Sequence, residues 1–497
     1  MPMPCDSPSR ASPPCGPEGA PSSRTVARGP ARHTFPGGAR CTEGPLYGPG
    51  RPGRMRGFRA APPRAQARGL HRGATSLSNT WKPVLSGTTR ARALEAAEAI
   101  LQDMAGAPLV RRPPDLSKGH AGLALFFEAA GRALDTDHLD LVGEHLRLSA
   151  EGFLRAEQTK VGLHGGLAGL GWVAAHLSAR HPDLDVEEVC GPVDEAIARE
   201  LELRPWPHPC DLRAGLGGMG LYALTRMHHP STPGLLERMV TVLAETAEPT
   251  AQGLRWPMPP NSVRLYGDPQ AFPRGVYTLG VAHGMPGGLA LLGALHAHGI
   301  ARERVGALLE GGFAWMASLV GSGERPGFPH YLHGDTPVVD ARFSWCVGTP
   351  GITAVLWWAA RAWGHAGWQD RALAWAEAVA REGLERPPFV PRRSANLCCG
   401  TAGTALLFLR LFHATERPIF EEAAVRWFEH TLSLRQPGQG PGGYCFEQKP
   451  DRPDDNLQFG AAGIALALLA GATGHEPDWD ECLLMSLRPR PLAKTEA

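Results

Sequence analysis

The chain has 497 residues, of which 43% are hydrophobic and 20% charged, with a net charge of +1. That is enough chain for a large core, and the balanced charge gives no reason to expect a nucleic acid or an anionic membrane as partner. No run of about 18 apolar residues is free of charge, His or repeated Gly, so no integral membrane segment is expected. The ten cysteines are too sparse for a disulfide scaffold and fit a reducing compartment, the cytoplasm, where clustered cysteines serve metals or catalysis.

Residues 1–79 come first in chain order and differ from the rest. They hold twelve Arg, no Lys and three acids, a charge of +9, which leaves 38 basic against 46 acidic residues in the remainder. The segment is crowded with Pro, Gly and Ser and has no apolar period. It cannot bury enough surface to offset its ordering entropy, and the composition predicts a disordered extension. It lacks the apolar centre of a secretory signal, and Met55 offers an alternative start. The folded domain is expected over 80–497.

The first element of that domain is "ARALEAAEAILQDM" (91–104), in which Leu94, Ala97, Leu101 and Met104 step by 3, 4 and 3. This is the period of an amphipathic helix. A glycine turn, "LSKGHAG" (116–122), follows, and then "GLALFFEAA", apolar on nearly all sides and therefore a buried helix. The same unit recurs along the chain. The later turns are "LHGGLAG" (163–169), "LRAGLGG" (212–218), "VAHGMPG" (281–287), "WCVGTPG" (345–351), "LCCGTAG" (397–403) and "LQFGAAG" (457–463). Their central glycines, from Gly119 to Gly460, are spaced by 47, 49, 69, 64, 52 and 60 residues. An amphipathic stretch precedes each turn and an apolar one follows it.

A repeat of this length is one supersecondary unit. Seven amphipathic and seven apolar helices predict an all-α fold, an (α/α)7 double-ring toroid with the apolar helices inside. The turns then start the inner helices and converge on one end of the ring. Glycine would serve there by tolerating positive φ and close backbone approach.

Three cysteines fall at equivalent places in two neighbouring turns. Cys346 lies two residues before Gly348, while Cys398 and Cys399 lie two and one before Gly400. Helix N-termini favour thiolates, and three soft ligands with a fourth position open fit a catalytic Zn2+. The other reading is three buried structural thiols. Cys210 reads as a small buried hydrophobe, and Cys190, Cys445 and Cys482 as inert thiols on outer helices or loops. His164, two residues before Gly166, reads as a polar group of the rim.

The W-C-x-G-x-P-G, C-C-G-x-x-G and A-H-G turns, with the sevenfold repeat, resemble the lanthionine synthetase C-like family of zinc-dependent lanthipeptide cyclases, over roughly residues 80–490. The resemblance implies zinc ligands at Cys346, Cys398 and Cys399, in the three-cysteine variant and not the commoner Cys-His-Gly form. It implies an acid/base His at His283, its Asp partner at Asp211 and an Arg at Arg342. Read alone, His283 could be a cap histidine and Asp211 an N-cap. Many members carry an aromatic residue after the first ligand, where this chain has Val347.

The implied reaction adds a peptide Cys thiol across dehydroalanine or dehydrobutyrine, closing a lanthionine ring. The thiol, with a free pKa of about 8.5, must be ionised near neutral pH, and coordination to zinc achieves this. Three thiolates give the zinc complex a charge of −1. His283 is then the proton donor to the α-carbon, and Arg342 holds Asp211 or the developing enolate oxygen. The implied substrate is a dehydrated precursor peptide, and its dehydratase must be a separate protein, because the ring takes up nearly the whole chain. An alternative with the same residues is a glutathione-binding or glutathione-adding protein acting on dehydrated proteins. A carbohydrate-active barrel would need a carboxylate pair at the rim, and the turns offer only Asp211.

Overall fold

The computed structural model describes residues 81–321, 327–339, 342–385, 394–445 and 454–488. The extension expected over 1–79 lies outside the described residues. Fourteen α-helices are present among those described. Seven begin directly at the glycine turns: α2 (His120–Leu134), α4 (Leu167–Ser178), α6 (Leu216–Thr225), α8 (Met285–Ala297), α10 (Thr349–Trp363), α12 (Thr401–Thr415) and α14 (Ala461–Ala472). In each, the central glycine of the turn is the residue that caps the helix N-terminus. Each packs on the next, and α14 packs on α2, so the inner ring is closed.

The other seven are α1 (Gly87–Ala105), α3 (Leu139–Leu154), α5 (Val186–Glu200), α7 (Thr232–Thr246), α9 (Arg302–Ser318), α11 (Ala366–Glu385) and α13 (Pro418–Ser433). They cover the inner ring from outside. Each packs on the inner helix before it in sequence, except α1, which lies on α14 and closes the outer ring across the two ends of the domain. The predicted toroid is therefore the observed fold.

The glycines owe their place to close approach and not, as expected, to positive φ. Gly400 has φ −110° and ψ −172°, an extended conformation open to any residue. A Cβ on Gly400, however, would lie 2.4 Å from the Asn396 nitrogen, and one on Gly403 would lie 1.8 Å from the Leu397 carbonyl oxygen. The turn folds back so tightly that no side chain fits.

The seven turns are joined to one another. The backbone N–H two residues before each central glycine donates to the carbonyl at the same position of a neighbouring turn. Ser117 donates to His164, His164 to Arg213, Arg213 to Ala282, Ala282 to Cys346, Cys346 to Cys398, Cys398 to Gln458, and Gln458 back to Ser117, all at 3.0–3.1 Å. The result is a closed seven-membered circuit of hydrogen bonds.

Two features were not foreseen. Between α7 and α8 the chain makes a hairpin of β1 (Glu248–Thr250) and β2 (Gly253–Arg255), two 3-10 turns, and β3 (Tyr277–Thr278). Strand β3 pairs with β4 (Tyr331–His333), which pairs with β5 (Thr336–Val338), in an antiparallel sheet with its own small core of Met258, Val263, Phe272 and Val276. The second feature is the C-terminal segment. After α14 the chain turns back into the ring, and residues 478–487 are all buried there. Cys482 belongs to this segment, not to an outer helix or surface loop. The Cys482 carbonyl accepts from His164 (2.8 Å), and the Leu483 carbonyl accepts from the Trp345 indole (2.7 Å). At the opposite end, buried Arg410 donates to both carboxylate oxygens of fully buried Asp480 (2.5 and 2.8 Å).

Breaking that ion pair leaves a buried charge without its partner, a loss of about 3–5 kcal/mol. Asp480→Ala is therefore expected to lower unfolding stability by that amount in denaturant titrations, and Arg410→Met with Asp480→Leu to cost clearly less than Asp480→Ala alone. Equal losses would show that the pair does not hold the segment.

Candidate active site

The register of the hydrogen-bonded circuit sorts the side chains of the turns. Those at the donating position are buried, apart from the half-buried Arg213, whereas those one residue later reach solvent: Lys118, Ala214, His283, Val347, Cys399 and Phe459. One half of the mouth is occupied by a polar network. Gln458 accepts from the Ser117 hydroxyl (2.5 Å) and from Arg213 (3.0 Å), and its amide meets Nδ1 of His164 at 3.2 Å. Burial, reinforced by Arg213, pushes His164 down to about 3, so it is a neutral structural link. Lys118 lies over the Phe459 ring at 5.3 Å.

The other half holds the predicted site. The bond from Cys346 N–H to the Cys398 carbonyl ties the two cysteine turns together, and that from Ala282 to Cys346 ties the His283 turn to them. The Asn396 side chain accepts from the Cys399 N–H at 2.9 Å and shapes the tighter of the two. The thiols of Cys346, Cys398 and Cys399 lie close enough to act on one another's ionisation. Hydrogen bonds from Cys398 and Cys399, with help from Ser344 and the charge of Arg342, hold Cys346 well below the usual thiol range against the effect of burial. The hydrogen bond to Cys346 pushes Cys399 up to about 12, and Cys398 also rises. The trio acts as a single acid that gives up its first proton at Cys346. Among the described residues, no three His, Cys, Asp or Glu side chains stand already gathered around one point as metal ligands.

Asp211 answers both of its sequence readings. Its Oδ1 accepts from the Ala214 and Gly215 N–H groups at 2.8 and 2.9 Å, the local cap. Its Oδ2 is buried without a hydrogen bond and lies 3.6 Å from Nδ1 of His283. The carboxylate is 1% exposed and the imidazole 19%, so the acid is the fixed member and the ring faces the mouth. An Nδ1–H directed at Oδ2 leaves Nε2 toward solvent. Arg342 is within electrostatic reach of Cys346. The structure thus brings all six predicted residues to one half of the mouth.

It adds one residue that the sequence reading missed. Tyr266 follows the 3-10 turn Pro260–Leu265, packs edge-on to Tyr331 at 4.9 Å and lies within electrostatic reach of Asp211, Cys346 and Arg342. Burial, then the negative charges of Asp211 and Cys346, hold its phenol above the usual range. The signal available in the sequence was the gap of 69 residues between the third and fourth glycines, the longest of the six.

Residues 111–484 match the profile of the Lanthionine synthetase C-like protein family. The chain belongs to that family. Among solved structures it is similar to nisin cyclase, with a TM-score of 0.59 and 16% identity over 78% of this chain and 96% of that one. A sugar epimerase from a ruminal bacterium is matched at a TM-score of 0.43 and 10% identity, over 77% of this chain and 98% of that one, too loose a likeness to bear on this chain. No curated protein matches significantly. No helix among the described residues is long and apolar enough to cross a membrane.

The proton sharing has a sign that can be checked in chelator-treated protein. A folded pKa below the free value of about 8.5 means that the Cys346 thiolate stabilises the fold as pH rises toward that value and ceases to do so as pH falls through the folded pKa. The ultraviolet thiolate difference between wild type and Cys346→Ser should show one thiolate forming below that value. A difference confined to the ordinary thiol range would contradict the shared-proton cluster.

Proposed function

We propose that this chain is a zinc-dependent cyclase that forms lanthionine and methyllanthionine rings in a dehydrated precursor peptide. The observation that carries the reading is the placement of three cysteines on two adjacent, hydrogen-bonded turns, beside an imidazole–carboxylate pair from the next ones. A tetrahedral zinc with Zn–S bonds of about 2.3 Å keeps its sulfurs about 3.8 Å apart. Side-chain rotations at Cys346, Cys398 and Cys399 would have to bring the sulfurs to that spacing, and three soft donors on adjacent turns suit this metal. The donor set therefore fits Zn2+ held by Cys346, Cys398 and Cys399. Zinc bound there supplies the Lewis acidity that ionises a substrate thiol near neutral pH.

The remaining steps belong to the chain's own side chains. Asp211 fixes the His283 tautomer and orientation. His283 delivers a proton from Nε2 to the α-carbon of the acceptor after the carbon–sulfur bond has formed. Arg342 places positive charge beside the acceptor carbonyl. A separate dehydratase supplies the unsaturated residues. Ten sparse cysteines, three of them clustered at the mouth, suit a reducing compartment, the cytoplasm.

Purified protein is expected to hold about one zinc per chain, and Cys→Ala at any of the three positions to lose most of it. With the cognate dehydrated peptide, His283→Asn should keep the zinc and slow ring closure by about 10²–10⁴-fold. Ring closure by His283→Asn at the wild-type rate would remove His283 from the mechanism, and a wild-type rate no better than the enzyme-free reaction would remove the cyclase reading.

A further inference from the structure

The mouth carries one polar group that the mechanism above does not use. Of the described tyrosines, Tyr222 donates to Asp194 at 2.7 Å, Tyr277 to Glu248 at 2.6 Å and Tyr444 to the Thr431 carbonyl at 3.3 Å, whereas Tyr331 and Tyr266 make no such bond to a described residue. The Tyr266 hydroxyl makes no hydrogen bond to any described residue, although the residue is half-buried. The hydroxyl is not among the buried polar atoms, so it is open at the mouth and able to donate to a bound molecule. Its ring is fixed: Tyr331 lies against one edge at 4.9 Å, His330 at 5.3 Å, and Met258, Val263, Phe272 and Val276 form the small core beneath.

That small core is tied to the catalytic turn. The Leu279 N–H donates to the His330 carbonyl at 3.3 Å, four residues before His283. The Thr278 hydroxyl donates to the His283 carbonyl. The insertion therefore holds a phenol over the part of the mouth where Asp211, Cys346 and Arg342 converge.

We propose that Tyr266 is a catalytic hydrogen-bond donor to the carbonyl oxygen of the dehydrated residue during ring closure, an assignment that rests on the cyclase reading above. As the thiolate sulfur bonds to the β-carbon, the π pair of the alkene moves toward the carbonyl and the oxygen becomes an enolate oxygen. Tyr266 donates its O–H to that oxygen without giving up the proton, alongside the charge of Arg342. The enolate then collapses to the amide as the α-carbon takes a proton from His283, so no oxidant or reductant is needed. A preorganised donor beside charge that develops only in the transition state contributes about 10²–10³-fold to the rate. A phenol held above its usual pKa range remains a donor throughout the pH range of the reaction.

The test is Tyr266→Phe in the full zinc-loaded chain, with the cognate dehydrated peptide. The variant keeps the ring and its packing, so zinc content and melting temperature should stay at wild-type values. The rate of ring closure should fall by about 10²–10³-fold, in kcat and not in KM. A loss confined to KM, or accompanied by lost zinc, would make Tyr266 a packing residue and overturn the assignment. Wild-type and Tyr266→Phe enzymes that are equally fast would overturn it while leaving the cyclase reading in place. A wild-type enzyme no faster than the enzyme-free control would remove both.

Discussion

The arrangement of the mouth depends on the closed circuit of seven backbone hydrogen bonds between the glycine turns. Each turn gives one N–H and takes one with its carbonyl, so all seven are held in the same register. The register fixes which side chain of each turn is buried and which reaches the mouth. It also fixes which turns are neighbours: Ala282, Cys346 and Cys398 are consecutive members, and so the imidazole and the three thiols share one arc. The glycines make this possible through the space they leave, since a methyl at Gly403 would collide with the Leu397 carbonyl. Seven inner helices then direct their N-termini, the positive ends of their dipoles, at the same opening, which favours negative charge there. That is the environment in which thiolates and an enolate are stabilised.

The chemistry is confined to one half of the circuit, and the other half is made rigid. Gln458 binds Ser117, Arg213 and His164, which joins four turns through one buried amide. The C-terminal segment supports the same layer from within the ring, where the Cys482 and Leu483 carbonyls receive His164 and Trp345. Trp345 is the residue before Cys346, so this bond helps to set the position of Cys346. A site that must hold three like-charged sulfurs close together gains from such support, because ligands already in place lose little entropy when they bind a metal. The Arg410–Asp480 pair at the far end anchors the segment that provides it.

Much of this was legible in the residues. The repeat of apolar–x–x–Gly turns gave the number of helices and their alternation, because a helix apolar on every side can only be an inner one. Cys346 and Cys398 share one repeat position with Cys399 beside the latter, which predicted their convergence, and the family resemblance implied His283 and Asp211 at the same rim. What the repeat does not encode was not legible. The packing of α1 on α14 is a contact between the chain's distant ends, and the buried stretch 478–487 has no period that distinguishes it from a loop. Tyr266 sits in an insertion whose length alone was visible. Glycine was read as serving both positive φ and close approach, and the extended φ of Gly400 shows that close approach alone decides it there. Asp211 could not be assigned to cap or catalysis from sequence because it serves the cap with one oxygen and faces His283 with the other.

The central claim is that two adjacent turns of the circuit present three sulfur ligands to one zinc. X-ray absorption at the zinc edge of the purified full-length chain tests it most directly. The account predicts three sulfur scatterers at about 2.3 Å and a single lighter nitrogen or oxygen scatterer. A first shell with fewer than three sulfurs, or one dominated by nitrogen and oxygen, would contradict it.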